Sequence, residues 1–85
     1  MYNIILLNIC RKYLEKIQSY ERFKISQKIL ELEQNPRPNG VVKLSGSDYW
    51  RIREGDYRII YLIDDANKKI TVTKIGHRRE IYRGL

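Results

Sequence analysis

The sequence predicts an α+β fold of two layers, a β-α-α-β-β-β-β chain whose helical hairpin packs on one face of a mainly antiparallel sheet. A short apolar run, Tyr2 to Leu7, precedes two stretches with helical apolar spacing. Asn35-Pro36-Arg37-Pro38-Asn39-Gly40 then ends the helical pattern, because proline lacks the donor a helix needs and disfavours helical geometry in the residue before it. Beyond that stop, apolar and polar residues alternate in short runs divided by turn residues.

Tyr2 to Leu7 is too short for a helix core and rich in isoleucine and leucine, so it reads as a strand covered on at least one face. Asn8 is placed to cap a helix. From Ile9 to Tyr20, the residues Cys10, Tyr13, Leu14 and Ile17 recur at three- and four-residue spacing and turn Arg11, Lys12, Glu15 and Lys16 outward. Residues 21–35 repeat the pattern with Ile25, Ile29 and Leu32, and Phe23 and Leu30 are expected to widen the stripe. The hairpin between the helices is expected near Ser19 to Arg22.

Val41 to Leu44 is a short strand, Ser45 to Asp48 a turn, and Tyr49 to Glu54 the next strand. Gly55-Asp56 closes a tight hairpin onto Tyr57 to Ile63, and Asp64 to Asn67 turns into Lys69 to Ile75. Alternation sorts the two central strands. Trp50 and Ile52 face one side with Tyr57, Ile59, Tyr61 and Ile63, while Tyr49, Arg51 and Arg53 face the other with Arg58, Ile60 and Leu62. Helices over the Trp50/Ile59 side would leave three arginines together on the open side.

The 85 residues are read as a single domain, 1–85. A chain this short buries only about two-thirds of its unfolded surface, so any cleft is shallow. The formal charge of +7 calls for an anionic partner: nucleic acid, anionic lipid or an acidic protein. Residues 1–36 hold six Lys/Arg against four Asp/Glu, and residues 37–85 hold eleven against six, so the basicity lies with the strands. One cysteine, Cys10, and one histidine, His77, exclude an intramolecular disulfide and the familiar zinc sites. No glycine-rich phosphate loop occurs and no serine is placed for a hydrolase triad. A small-molecule cofactor and a metal are therefore not expected. The reduced cysteine, the want of a basic leader and the lack of any stretch of transmembrane length fit a cytoplasmic protein without a membrane partner.

Between Tyr49 and Tyr82 the chain gathers Arg51, Arg53, Arg58, His77, Arg78 and Arg79 with aromatic residues. Fixed positive charge neutralises phosphates and tyrosine faces stack unpaired bases, which is what a small surface needs to hold and cut single-stranded RNA. Two basic residues on a strand are ordinarily its solvated side, but three arginines with few acids carry a repulsion that surface pairing would normally relieve. Arginine's planar fork also suits bidentate phosphate contact. Glu54 and Asp56 lie near enough in sequence to neutralise some of this charge.

A lone histidine is more often a structural hydrogen-bonder than a catalyst. His77, following Gly76, is nevertheless a candidate for proton transfer at neutral pH. Tyr82 is either a packing residue of the tail or a platform for a base beside the scissile phosphate. Lys43, Lys74, Arg79 and Arg83 complete the expected RNA-binding set. Trp50, Tyr57, Tyr61 and Cys10 read as core.

Asn35-Pro36-Arg37-Pro38, Val42-Lys43-Leu44, Tyr49-Trp50-Arg51-Ile52-Arg53, Gly55-Asp56-Tyr57-Arg58-Ile59-Ile60-Tyr61 and Gly76-His77-Arg78-Arg79-Glu80-Ile81-Tyr82, in this order of elements, resemble the RelE/ParE superfamily of toxin–antitoxin toxins, on the RelE side. The resemblance implies a RelE-like fold and a toxin that cuts mRNA in the ribosomal A site, held silent by a cognate antitoxin. It implies metal-free attack by the RNA's own 2′-hydroxyl, leaving a 2′,3′-cyclic phosphate. On that pattern Arg51 and Arg53 orient or activate the nucleophile and Arg58 stabilises the phosphate. Arg78 or His77 protonates the leaving oxygen, and Tyr82 stacks. Arginine at 51 and 53, where the family often has lysine, is a reluctant base, so the base is unassigned. The competing readings are a ParE-like inhibitor of DNA gyrase and a non-enzymatic RNA- or ribosome-binding module.

Overall fold

Strand β1 (Asn3–Leu6) runs directly into helix α1 (Asn8–Lys16) and then α2 (Ser19–Glu31) in the computed structural model, which describes residues 1–82. The helices are followed by β2 (Val42–Lys43), β3 (Trp50–Glu54), β4 (Tyr57–Asp64) and β5 (Lys69–His77). This is the expected α+β order, with shorter helices. Ile17 and Gln18 both take extended dihedrals. The chain thus reverses two residues before Ser19, and Gln18 begins the next helix by accepting the Arg22 amide at 2.9 Å.

Asn8 does not cap α1. Leu7 holds that position, its carbonyl accepting the amides of Cys10 at 2.9 Å and Arg11 at 3.1 Å. Asn8 lies in the first turn, where its Oδ1 accepts from Arg11 Nη1 at 2.8 Å. The strand is followed so closely by the helix that no extra residue is left for a polar cap.

Cys10 and Leu14 of α1, with Ile25, Ile29 and Leu32 of and just beyond α2, form one core with Ile52, Ile59, Tyr61, Ile70, Val72 and Ile75 of the sheet. Burial pushes the Cys10 thiol up to about 11, and its Sγ lies 3.5 Å from the Val72 carbonyl. Phe23 and Leu30 do not widen the stripe: they are 63% and 49% exposed. At about 100° per residue they fall on the far side of the helix from Ile25. Trp50 is only half-buried, with Arg37 over its ring at 5.0 Å and Lys43 at 5.8 Å. Tyr61 is fully buried, and its hydroxyl donates to the Pro36 carbonyl at 2.7 Å, tying the loop after α2 to the sheet. Among the described residues no helix is long and apolar enough to cross a membrane.

The five strands lie in the order β1-β5-β4-β3-β2, and only the β1–β5 pair is parallel. Gly55, at φ +59°, opens the two-residue β3–β4 loop, a conformation that favours glycine. The β4–β5 ladder has one irregularity. Tyr61 pairs with Val72 and Ile60 with Lys74, so Thr73 is an extra residue, its hydroxyl bonded to the Ile60 carbonyl at 3.2 Å. A bulge reverses the facing of everything beyond it. Val72 and Ile75 therefore both reach the core, although they are three residues apart.

Candidate nucleic-acid interface

Hairpin β3–β4 builds the cationic face. Arg53 stands directly opposite Arg58, and Arg51 opposite Ile60. Ile52 and Ile59 are in the core, so alternation turns all three arginines to the side away from the helices. Neither of the two nearby acids pairs with these three arginines. Glu54 shares the helix side with Tyr57 and lies 3.9 Å from Lys24 Nζ, while Asp56 in the hairpin loop lies 3.6 Å from Arg78 Nε. Among the described residues Arg51, Arg53 and Arg58 form no ion pair.

Arg58 is held from below. Its Nη1 donates to the carbonyls of Gly55 and Tyr57, both at 3.0 Å. Burial lowers its pKa from the ordinary arginine value, and the charges of Arg53 and Arg51, then Arg78, push the same way. Like charges so arranged destabilise one another, and a bound phosphate would relieve them. A recess of about 360 Å³ opens beside them, lined by Arg51, Arg53 and Arg58 together with Lys28, Asn39 and Gly40. Asn39 and Gly40 read in the sequence only as a helix stop, and Lys28 has no role assigned there. No local signal marks them, because the loop and helix are brought there by the core.

The segment after β5 folds back over this face. The Arg78 amide donates to the Asp56 carbonyl at 2.7 Å, and the amides of Glu80 and Ile81 donate to the His77 carbonyl at 2.9 and 3.0 Å. Gly76, paired with Arg58, is what lets the chain pass: a Cβ there would meet Ile81 Cδ1 at 3.1 Å. Ile60 and Ile81 are both buried although neither belongs to the helix-side core. The turn ends with Tyr82, a residue 46% exposed whose hydroxyl takes a short hydrogen bond from Arg51 Nη1.

Arg51, Arg53, Arg58, Tyr82 and Lys74 are thus gathered on one side, Lys74 by its register with Ile60, and Arg78 stands at the rim. Lys43 is not with them. It pairs with Trp50 and lies over that ring, on the helix side of the sheet. His77 is also turned away: it pairs with Tyr57, and their rings meet edge to face at 6.0 Å. Arg79 is exposed in the tail, and Arg83 lies outside the described residues. Among the described residues no three His, Cys, Asp or Glu side chains converge to hold a metal ion.

The sequence model of the family described as "ParE toxin of type II toxin-antitoxin system, parDE" matches residues 4–82. In three dimensions the chain is similar to archaeal RelE, as seen in its complex with RelB from Pyrococcus horikoshii OT3. That likeness has 28% identity and a TM-score of 0.83 over 93% of this chain and 97% of the other. It is also similar to the isolated RelE toxin of E. coli, with 25% identity and a TM-score of 0.78 over 91% of this chain and 84% of that one. A stretch of 31 residues is 42% identical to toxin RelG of Mycobacterium tuberculosis, spanning 36% of each chain. The family match over nearly all of the chain and the shared five-stranded fold place it in the RelE/ParE superfamily of type II toxin–antitoxin toxins.

Proposed function

We propose that this chain is a RelE-type toxin that cuts mRNA on the ribosome and is silenced by a cognate antitoxin. The observation that carries the reading is the convergence of Arg51, Arg53 and Arg58 with Tyr82 on the sheet face opposite the helices, while Glu54 pairs with Lys24 and Asp56 with Arg78 at the rim. The names of the similar proteins support it: they are RelE toxins, some in complex with RelB.

In this reading the ribose 2′-oxygen attacks the adjacent phosphorus, the bond to the 5′-oxygen breaks, and a 2′,3′-cyclic phosphate remains. Arg58 and Arg53 hold the non-bridging oxygens as negative charge builds on them. Arg51 and Tyr82, joined by their hydrogen bond, set the position of the neighbouring nucleotide, with a base against the exposed tyrosine. Arg78, at the rim beside Asp56, is the cation assigned to the leaving oxygen. With arginine in the positions nearest the nucleophile, the chain contributes orientation and charge more than a dedicated base.

Arg58→Ala should lower cleavage on translating ribosomes by about 10²-fold or more, the scale of one lost transition-state donor. Full growth arrest by that variant would count against the mechanism. The ParE name of the matching family keeps a second reading in view, inhibition of DNA gyrase. Induced cells with supercoiling defects and intact transcripts would establish it instead. Protein that binds RNA with steep salt dependence but leaves mRNA uncut would select a binding module.

A further inference from the structure

We infer that His77 serves this site as a positioning residue, acting through the backbone of the tail and moving no proton itself. The inference deepens the ribonuclease reading and rests on it. Strict alternation along β5 from Ile70 and Val72 would turn residue 77 toward the arginines. The bulge at Thr73 turns it to the other side, opposite Tyr57, with the ring centroids 6.0 Å apart and the planes at 77°. Tyr57 lies in turn 6.3 Å from the ring of Tyr13 in α1. The imidazole therefore stands half-buried beside Tyr57 on the helix side, with the sheet between it and the cationic face.

What His77 does reach is the turn. Its Nδ1 accepts the Arg79 amide at 3.2 Å, and its carbonyl accepts the Glu80 and Ile81 amides at 2.9 and 3.0 Å. Three consecutive donors thus end on one residue. They form the turn that lays Ile81 over Gly76 and delivers Tyr82 to Arg51. An accepting Nδ1 is an unprotonated one. The side-chain bond spans two residues, the geometry by which asparagine and aspartate close their own turns. Asparagine at 77 would therefore keep the acceptor and discard the titratable ring.

That difference separates positioning from proton transfer. Wild-type, His77→Ala and His77→Asn proteins would be compared for kcat and KM of mRNA cleavage on translating ribosomes, and for hydrogen exchange at the amides of Arg79, Glu80 and Ile81. His77→Ala should lose amide protection and at least about tenfold in kcat, as a displaced tyrosine loosens the nucleotide. His77→Asn should keep the protection and stay within about threefold of wild type, since the turn survives. Asparagine as inactive as alanine, with its amides still protected, would overturn the inference in favour of proton transfer. Alanine with unchanged protection would overturn it outright. Wild-type protein that cuts nothing would sink only the ribonuclease reading, because the exchange measurements on the three proteins decide the role of His77 in the turn by themselves.

Discussion

The two faces of this sheet come from the same alternating strands yet obey opposite rules. On the helix side, Ile52, Ile59, Tyr61, Ile70, Val72 and Ile75 meet Cys10, Leu14, Ile25, Ile29 and Leu32. The charged residues at that side's margin find partners, as Glu54 does with Lys24. On the other face Arg51, Arg53 and Arg58 crowd together without an ion pair among the described residues, held against their repulsion by backbone carbonyls and by the returning tail. One face lowers the free energy of the fold. The other buries Ile60 and Ile81 beneath the tail but also crowds like charge that works against the fold, as the proposed anion site would require.

The contrast breaks most visibly in the core. Ile59→Ala removes a fully buried side chain and should cost about 2–5 kcal/mol, measured by denaturant unfolding, with activity falling only as folded protein is lost. For a protein of this size that is a large share of the total stability. On the cationic face the sign pattern should reverse, with activity falling and the fold intact. Tyr82→Ala should reduce cleavage by roughly 5–150-fold, the scale of about 1–3 kcal/mol for one stacked base, while its circular dichroism stays that of wild type. Tyr82→Phe, which keeps the ring, should lose far less in the same primer-extension assay.

Arg53→Ala sharpens the comparison further. It removes one member of a like-charged pair directly opposite across two strands, so stability should rise slightly, within about 0.2–1 kcal/mol, as RNA binding weakens. A drop in melting temperature would show that the arginines stabilise the face they occupy.

The smallest effect lies at the far end of the sheet. The Asp65 carboxyl is held down at about 2, chiefly by its hydrogen bond from Arg37, at 2.9 Å, and also by the Tyr2 hydroxyl at 2.6 Å. A folded value below the unfolded value of about 3.9 stabilises the fold at neutral pH, and this contribution disappears as the pH falls from about 4 through about 2. Asp65→Asn should flatten that part of the acid unfolding curve. An unaltered curve would assign the acid sensitivity elsewhere.

Much of this was legible in the chain. The apolar spacing of Cys10 and Leu14 and of Ile25, Ile29 and Leu32 marks the buried stripes. The alternation in Tyr49 to Ile63 separates Ile52 and Ile59 from Arg51, Arg53 and Arg58, because period two leaves a strand no other choice once one side is apolar. Phe23 and Leu30 are hydrophobic yet exposed, because their angle around α2 turns them away from Ile25. Lys43 looked like part of the basic surface, and its pairing with Trp50 places it on the other side.

Sequence by itself determined the order of elements, the core residues contributed by Cys10, Leu14, Ile25, Ile29, Leu32, Ile52, Ile59 and Tyr61, and the three arginines of the open face, since these follow from local periodicity and charge. Only the tertiary structure decided the side on which His77 stands and the return of Tyr82 to Arg51. The physical reason is the extra residue at Thr73. A bulge is a property of two strands in register and not of one strand's own residues, so the pairing of β4 with β5 sets the facing of all that follows.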